Sequence, residues 1–465
     1  MTRSLLIVLL LLAPALWAAD LALPEYERVE LANGTVLLLS EKHDVPLIGL
    51  RAVVRGGSAM DPASLSGLTE LLATVMQKGA GERDAAALAE AAASVGGRLS
   101  VSANVASTTV SAEFLSRDAE LMIELVADVL QRPTLSADEL AKERSRTIDL
   151  IRAAKDSDPS GLMPAYGNAF LFAGHPYGNP TFGSESSLAN IEHDDLLQFY
   201  ADHFGGDRLI VAVAGDFDIT AMKAALTLAF EGWSPAGTAL PEIVAPERIL
   251  GSKVLLVDKP GATQTHFWIG NVGVAVDYES RAELNLANTV FGGRFTSMLM
   301  TELRVNSGLT YHASSVVERR ARPGSVTIRS FTETSKTVEA IDMALSVLDR
   351  LHVKGLDDEM IASARNYIMG QFPPSLETVS SLAGMFAFLE LHGLDRGYID
   401  DYGPALEGAT PVTVHNTISD VYPQSENRVF ILIGDADLIR EDVAKYGEVT
   451  EMSITEPRFD PYLPK

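Results

Sequence analysis

Nine histidines are the side chains best suited to proton transfer or metal binding near neutral pH, and they are scattered along the chain. The nearest two, His193 and His203, are ten positions apart. Neither H-E-x-x-H nor H-x-x-E-H occurs, so no helix offers zinc two imidazoles on one face. His175 stands in His175-Pro-Tyr-Gly178 and reads as a packing or turn residue. There is no cysteine, which excludes thiolate zinc sites, cysteine nucleophiles, disulfides and a lipid-modified cysteine. G-x-S-x-G, P-loop and G-x-G-x-x-G patterns are also missing. Residual hydrolysis would need unrecognised groups, such as Glu70 with Asp149, and nothing in the sequence requires Glu70 to meet His175 or His203. Arg304 and Tyr311 remain, in Leu303-Arg304-Val305-Asn306-Ser307-Gly308-Leu309-Thr310-Tyr311. A guanidinium and a phenol both donate hydrogen bonds, and donors aimed at a forming oxyanion are a large catalytic term. Gly308 permits a turn that returns Tyr311 toward Arg304. The plain alternative is an ion pair of Arg304 with Glu302 and a Tyr311 packed in a strand.

The elements that must position these groups are those of a large, acidic, globular protein. The chain has 465 residues, 47% hydrophobic and 21% charged, which suits more than one domain with substantial cores. Its net charge is −25, which repels nucleic acid and anionic membrane and sets both aside as partners. At the N-terminus Arg3 precedes an apolar run from Leu5 to Ala19, followed by Asp20. A charged start, a short apolar core and small residues at Ala18 and Ala19 read as a secretory leader over residues 1–19. The run is shorter than the roughly 20 residues a membrane span needs. No later stretch is long and apolar enough, so a periplasmic chain is expected, with no membrane insertion after leader cleavage.

Past the leader the chain repeats itself. Leu209-Ile-Val-Ala-Val-Ala-Gly-Asp216 and Val429-Phe-Ile-Leu-Ile-Gly-Asp435 both read as buried strands ending in a Gly-Asp turn, 219 residues apart. Asp138-Glu139 and Asp358-Glu359 each open a helix, 220 residues apart. Val95-Gly-Gly-Arg98 and Phe291-Gly-Gly-Arg294 also correspond, and three matches in one order argue for duplication. The break falls in a Pro-rich stretch, giving a first half over 20–233, a linker over 234–249 and a second half over 250–465. Val36–Leu39, Ile48–Val54 and Thr108–Phe114 read as strands, and Gly67–Met76 and Ala119–Leu130 as helices. Strand runs broken by helices imply an α+β fold: two similar halves, each a mixed or antiparallel sheet with helices on one face. From Arg98 to Val110 is 12 residues, but from Arg294 to the matching Ile328 is 34, and Arg304 and Tyr311 lie in the added length.

The segment Gly67-Leu68-Thr69-Glu70-Leu71-Leu72-Ala73-Thr74-Val75-Met76-Gln77-Lys78-Gly79, with its lead-in Val54-Arg-Gly-Gly-Ser58, resembles the signature helix of the pitrilysin/insulinase zinc metallopeptidases, in the branch of the mitochondrial processing peptidase. Active members carry H-x-x-E-H there, two zinc ligands around a glutamate that activates water. Registered on Gly67-Leu68 and Lys78-Gly79, the histidine positions hold Glu70 and Thr74, and the glutamate position holds Ala73. The third ligand of the family is a glutamate on a later helix, where this chain has Leu150 with Asp149 beside it. One step along a helix turns a side chain by about 100°, so Asp149 does not substitute. Leu68, Leu71, Leu72, Val75 and Met76 still form a helical stripe, so the scaffold is expected to persist without the metal.

The stretch around Arg304 and Tyr311 resembles the R-x-x-x-G-L-x-Y motif of the same family, whose arginine and tyrosine contact the substrate carbonyl from across the cleft. The resemblance implies a clamshell of two homologous halves with no catalytic residue or metal of its own. It further implies a heteromeric peptidase in which a homologous partner chain bears H-x-x-E-H and zinc, while Arg304 and Tyr311 help to bind a peptide substrate. The rival expectation is a peptide-binding or scaffolding protein without catalysis.

Overall fold

A computed structural model describes residues 22–462, and the leader expected at residues 1–19 lies outside them. The strands, in chain order, are β1 (Glu27–Glu30), β2 (Val36–Glu41), β3 (Leu47–Arg55), β4 (Gly79–Ala80), β5 (Arg83–Asp84), β6 (Arg98–Ala103), β7 (Ser107–Leu115) and β8 (Leu209–Gly215). They continue with β9 (Lys253–Asp258), β10 (Gln264–Val272), β11 (Ala313–Glu318), β12 (Ser325–Glu333), β13 (Val429–Gly434) and β14 (Glu448–Ser453). Two six-stranded mixed sheets result, ordered β1-β2-β8-β3-β7-β6 and β11-β12-β10-β13-β9-β14. Between Phe230 and Lys253 no helix or strand forms.

The two sheets repeat each other in register. Ala52 of β3 stands opposite Val110 and Val211, and Ile269 of β10 stands opposite Ile328 and Phe430. In both sheets the central all-buried strand, β8 or β13, pairs in parallel with one neighbour and antiparallel with the other. Burial on both faces explains why those two strands read as unbroken apolar runs rather than alternating ones. The copies differ at one edge, where β1 pairs antiparallel with β2 but β14 runs parallel to β9.

Helices of each half cover one face of its own sheet, as the sequence pattern implies. The opposite face is not left to solvent, because the halves exchange helices. Helix Val379–His392 of the second half buries Leu382, Ala383, Phe386 and Leu389 against Val36, Leu38, Val53, Ile210 and Ala212 of the first sheet. Helix Met163–Leu171 of the first half lies over the second sheet, where Leu255, Val257, Trp268, Ile431 and Ile433 join the core of the first half. Each crossing relies on a glycine. A Cβ at Gly49 would lie 2.7 Å from the backbone of Ser380, and one at Gly167 would lie 2.5 Å from the Trp268 ring.

The chain ends cross over as well. Near the N-terminus, Leu23 donates its N–H to Asp400 at 2.7 Å, and Arg396 donates to the Leu23 carbonyl at 2.7 Å. Near the C-terminus, Phe459 meets Tyr166 edge-on at 4.8 Å, and the Glu456 carbonyl accepts from Lys155 at 2.6 Å. The two halves therefore share their cores.

Candidate functional site

In the second half a half-buried Arg304 and an exposed Tyr311 come together. Met300–Asn306 is a π-helical segment, anchored by buried Met300 and Leu303. π-Helical turns recur at functional sites because the extra residue per turn re-aims side chains. Its end is folded back by Leu309 and Thr310, whose N–H groups donate to the Leu303 carbonyl at 2.8 and 3.2 Å. Gly308 takes the left-handed conformation that reversal needs, at φ +65°. Thr310 then fastens the approach to β11: its hydroxyl donates to the His312 carbonyl at 3.0 Å and accepts from Ser330 at 3.2 Å.

The outcome is a stack. The Arg304 guanidinium lies 4.4 Å from the centre of the Tyr311 ring and 5.0 Å from that of Phe295. Tyr311 is 73% exposed and Phe295 67% exposed, so both rings face solvent. Such an arrangement holds the cation by attraction to the ring faces while leaving its in-plane N–H groups free to donate. The alternative pairing of Arg304 with Glu302 does not form. Glu302 accepts from Arg350 at 2.9 Å and from Asn306 at 3.0 Å, which hold its carboxyl below the ordinary value. Among the described residues Arg304 has no carboxylate within ion-pair distance. Arg304 and Tyr311 are thus brought together. Phe295 was not singled out in the sequence, although it directly follows Phe291-Gly-Gly-Arg294, one of the repeat matches.

The first half carries the signature helix, Leu68–Met76. Buried Asp61 anchors its start by accepting the N–H groups of Gly67 at 3.0 Å and Thr69 at 3.1 Å, together with the Thr69 hydroxyl. Burial pushes the Asp61 carboxyl up to about 7, against the pull of those donors. Leu68, Leu71, Leu72, Val75 and Met76 are all buried, so the stripe read from the sequence packs as core. At the degenerate positions, Ala73 is buried, while Glu70 and Thr74 are half-buried. Burial raises the Glu70 carboxyl, partly offset by the Ala103 N–H.

Helix Ala137–Asp156 packs beside the signature helix. Leu150 on it is 58% exposed, and Asp149 is an exposed neighbour 3.8 Å from Arg152. The link between these two helices is ionic. Buried Glu143 pairs with Lys78 at 2.8 Å and with Arg146 at 3.0 Å, and Lys78 above all holds its carboxyl below the usual range. That pair was missed in the sequence, where Lys78 served only as a landmark for registration. His175 caps the turn Pro176–Gly178, accepting the Tyr177 N–H at 3.0 Å, with its other ring nitrogen 2.8 Å from the Val244 carbonyl. His203 contacts Arg208 at 3.2 Å. Among the described residues, no three His, Cys, Asp or Glu side chains are grouped so as to hold a metal ion.

This two-sheet fold with a zinc-type helix is that of the M16 metallopeptidases. Residues 36–185 match the model of the insulinase family, peptidase family M16, and residues 190–368 match that of the peptidase M16 inactive domain. The two together cover well over half of the chain, which belongs to the M16 family. It is 28% identical over 343 residues to an uncharacterized zinc protease of Mycobacterium leprae, covering 73% of this chain and 77% of that one. It is 25% identical over 349 residues to a Helicobacter pylori protein named "non-peptidase homolog YmxG", covering 74% and 79%. Among solved structures, a peptidase M16 inactive domain from Pseudomonas fluorescens superposes with a TM-score of 0.82 at 22% identity, over 88% of this chain and 98% of that one. The inactive-domain model starts at residue 190, yet β8 and the helix Ile219–Phe230 pack in the first half. The family model and the structural halves therefore divide the chain at different places.

Proposed function

We propose that this chain is the non-zinc subunit of a periplasmic, heteromeric zinc metallopeptidase. It is not a peptidase alone. It offers Arg304 and Tyr311 to a peptide held against a homologous partner that carries H-x-x-E-H and zinc, and it binds no metal itself. The observation that carries the reading is the contrast between the two halves. A half-buried guanidinium, with no ion-pair partner among the described residues, is stacked on the exposed Tyr311 in one, and a packed helix with Glu70, Ala73 and Thr74 stands at the metal positions of the other. Donors fixed before the reaction stabilise a carbonyl oxygen as charge develops on it, at no cost of reorganisation. The relative named as a non-peptidase homolog agrees with a chain that does not cleave by itself. Export rests on the apolar leader read from the sequence; among the described residues no helix is long and apolar enough to cross a membrane.

The test is peptide hydrolysis by a zinc-bearing M16 chain of the same organism, with and without this protein. Activity is expected only in the mixture. Arg304→Ala should then lower kcat by about 10²–10³, the cost of losing one oxyanion donor, while complex formation is preserved. A partner equally active alone would replace this reading with that of a peptide-binding or scaffolding protein. An unchanged kcat for the variant would remove Arg304 from the site.

A further inference from the structure

A cavity of about 580 Å³ lies where the two halves meet, and neither Arg304 nor Tyr311 lines it. One wall is the outer face of β3 with the β6–β7 hairpin, and another is the exchanged helix Val379–His392. The β11–β12 hairpin at Glu318–Ala321 and the linker at Leu240–Ile243 complete it. Its volume falls within the range of small-molecule sites.

Its charge is opposite to that of the protein. Arg51, Arg55, Arg319 and Arg320 line it against a single carboxylate, Glu318, in a chain of net charge −25. Two of the four arginines are accounted for. Arg55 pairs with Glu390 at 3.3 Å, and Arg320 with Glu318 at 3.1 Å. The other two are not. Among the described residues Arg51 forms no ion pair and donates to the Leu50 carbonyl at 3.2 Å; burial lowers its pKa, with the Glu113 carboxylate partly opposing. Arg319 forms no ion pair among the described residues, and its Nη1 is buried with no protein partner. Arg281, stacked 3.6 Å from the Tyr398 ring centre, adds a further positive charge beside Arg319. On the same lining, His392 keeps a buried Nδ1 that has no partner among the described residues. Arg51 and Arg319 are half-buried, and cations partly withdrawn from water without an anion are disfavoured until an anion supplies the missing acceptors. Val53, Val105, Ala387, Phe388 and Leu391 give the lining an apolar side, and Asn104, Ser107, Thr109 and Tyr177 add uncharged polar groups.

We propose that this cavity is a binding site for a small organic carboxylate. The carboxylate would be received by the donors of Arg51 and Arg319, and an apolar substituent would lie along Phe388 and Leu391. The free C-terminus of a short peptide and a medium-chain fatty acid share this chemistry. The site does not depend on the Arg304–Tyr311 reading, since the cavity contains neither residue.

Calorimetric titration of the mature full-length protein tests it with three probes: N-acetyl-Leu-Leu as the free acid, the same dipeptide as its C-terminal amide, and decanoate. The acid should bind, and the amide at least ten-fold more weakly, because only the acid carries the charge the guanidiniums lack. Binding of decanoate without the dipeptide acid would assign the carboxylate to a lipid source, and the reverse would assign it to peptides. In Arg319→Gln, whichever carboxylate binds should do so at least ten-fold more weakly, with an unchanged circular dichroism spectrum. Equal affinity for acid and amide, no binding of either carboxylate at millimolar concentration, or an unaffected Arg319→Gln would each overturn the proposal. The acid–amide comparison uses the unaltered chain, so it stands even if the variant misfolds.

Discussion

Gly49→Ala tests the exchange of helices with the smallest possible change. The added Cβ would stand 2.7 Å from Ser380 N and Val379 C and 2.8 Å from Ser380 Cα. All three are backbone atoms, so no rotamer change relieves the overlap. Ordinary contact requires 3.4 Å or more, so the helix Val379–His392 must withdraw from β3 by about 1 Å. A gap of that size forfeits about a quarter to a half of each dispersion contact across it. The losses fall on Leu382, Ala383, Phe386, Ala387 and Leu389, all buried on this helix. The expected cost is about 1–3 kcal/mol, toward the upper end because only backbone can yield. Gly384→Ala on the same helix is the control, since its Cβ would meet only Arg51 Nε, at 4.0 Å. Removing a mid-helix glycine there should stabilise by about 0.5–1 kcal/mol. Urea unfolding followed by far-UV circular dichroism measures both. A Gly49→Ala protein as stable as the parent, or two variants shifting in the same direction, would show that the helix does not pack against β3 as described.

Two further predictions concern the helix pair and the stack. Glu143 is held below its ordinary pKa first by Lys78, with burial opposing and Arg146 adding to the effect. A depressed carboxylate contributes stability above its unfolded value near 4.5, and that stability is lost as pH falls through the lower folded value. Glu143→Gln should therefore reduce stability at pH 7 and flatten the loss below about pH 4.5; an unchanged acid-unfolding profile would show the pair contributes nothing. Phe295→Ala leaves Arg304 and Tyr311 in place but removes one face of the stack, worth about 0.5–1 kcal/mol for an exposed cation–π contact. In the mixed peptidase assay kcat should fall by up to about five-fold with native stability unchanged, and an unaltered rate would mean that Tyr311 alone holds Arg304.

Much of this architecture is visible in the sequence because it depends on local pattern. The strands β8 and β13 are apolar runs closed by Gly-Asp, and the signature helix is an apolar stripe, so each follows from periodicity and turn chemistry. The duplication follows from order and spacing. The absence of the metal motif follows from residue type alone, since Ala73 cannot act as a base and Thr74 is a poor zinc ligand in any fold. By contrast, pairings between distant residues carry no local signature. Lys78 with Glu143, Phe295 with Arg304, and Arg51 facing the same cavity as Arg319 join residues whose spacing is arbitrary until the backbone is placed. The exchange of helices is the largest such case. Helix Val379–His392 is apolar nearly all round, with Met385, Phe388 and Leu391 on the side away from its buried residues, so its sequence calls for burial without saying against which sheet. Gly49 appears in the sequence as a weakness in a strand, and only the tertiary structure shows it to be the place where another half of the molecule comes within contact distance. The sequence thus determined what each element is and which chemistry is missing, because those depend on residue type and period. The tertiary structure decided which surfaces meet, because contact depends on shape and distance that no single segment encodes.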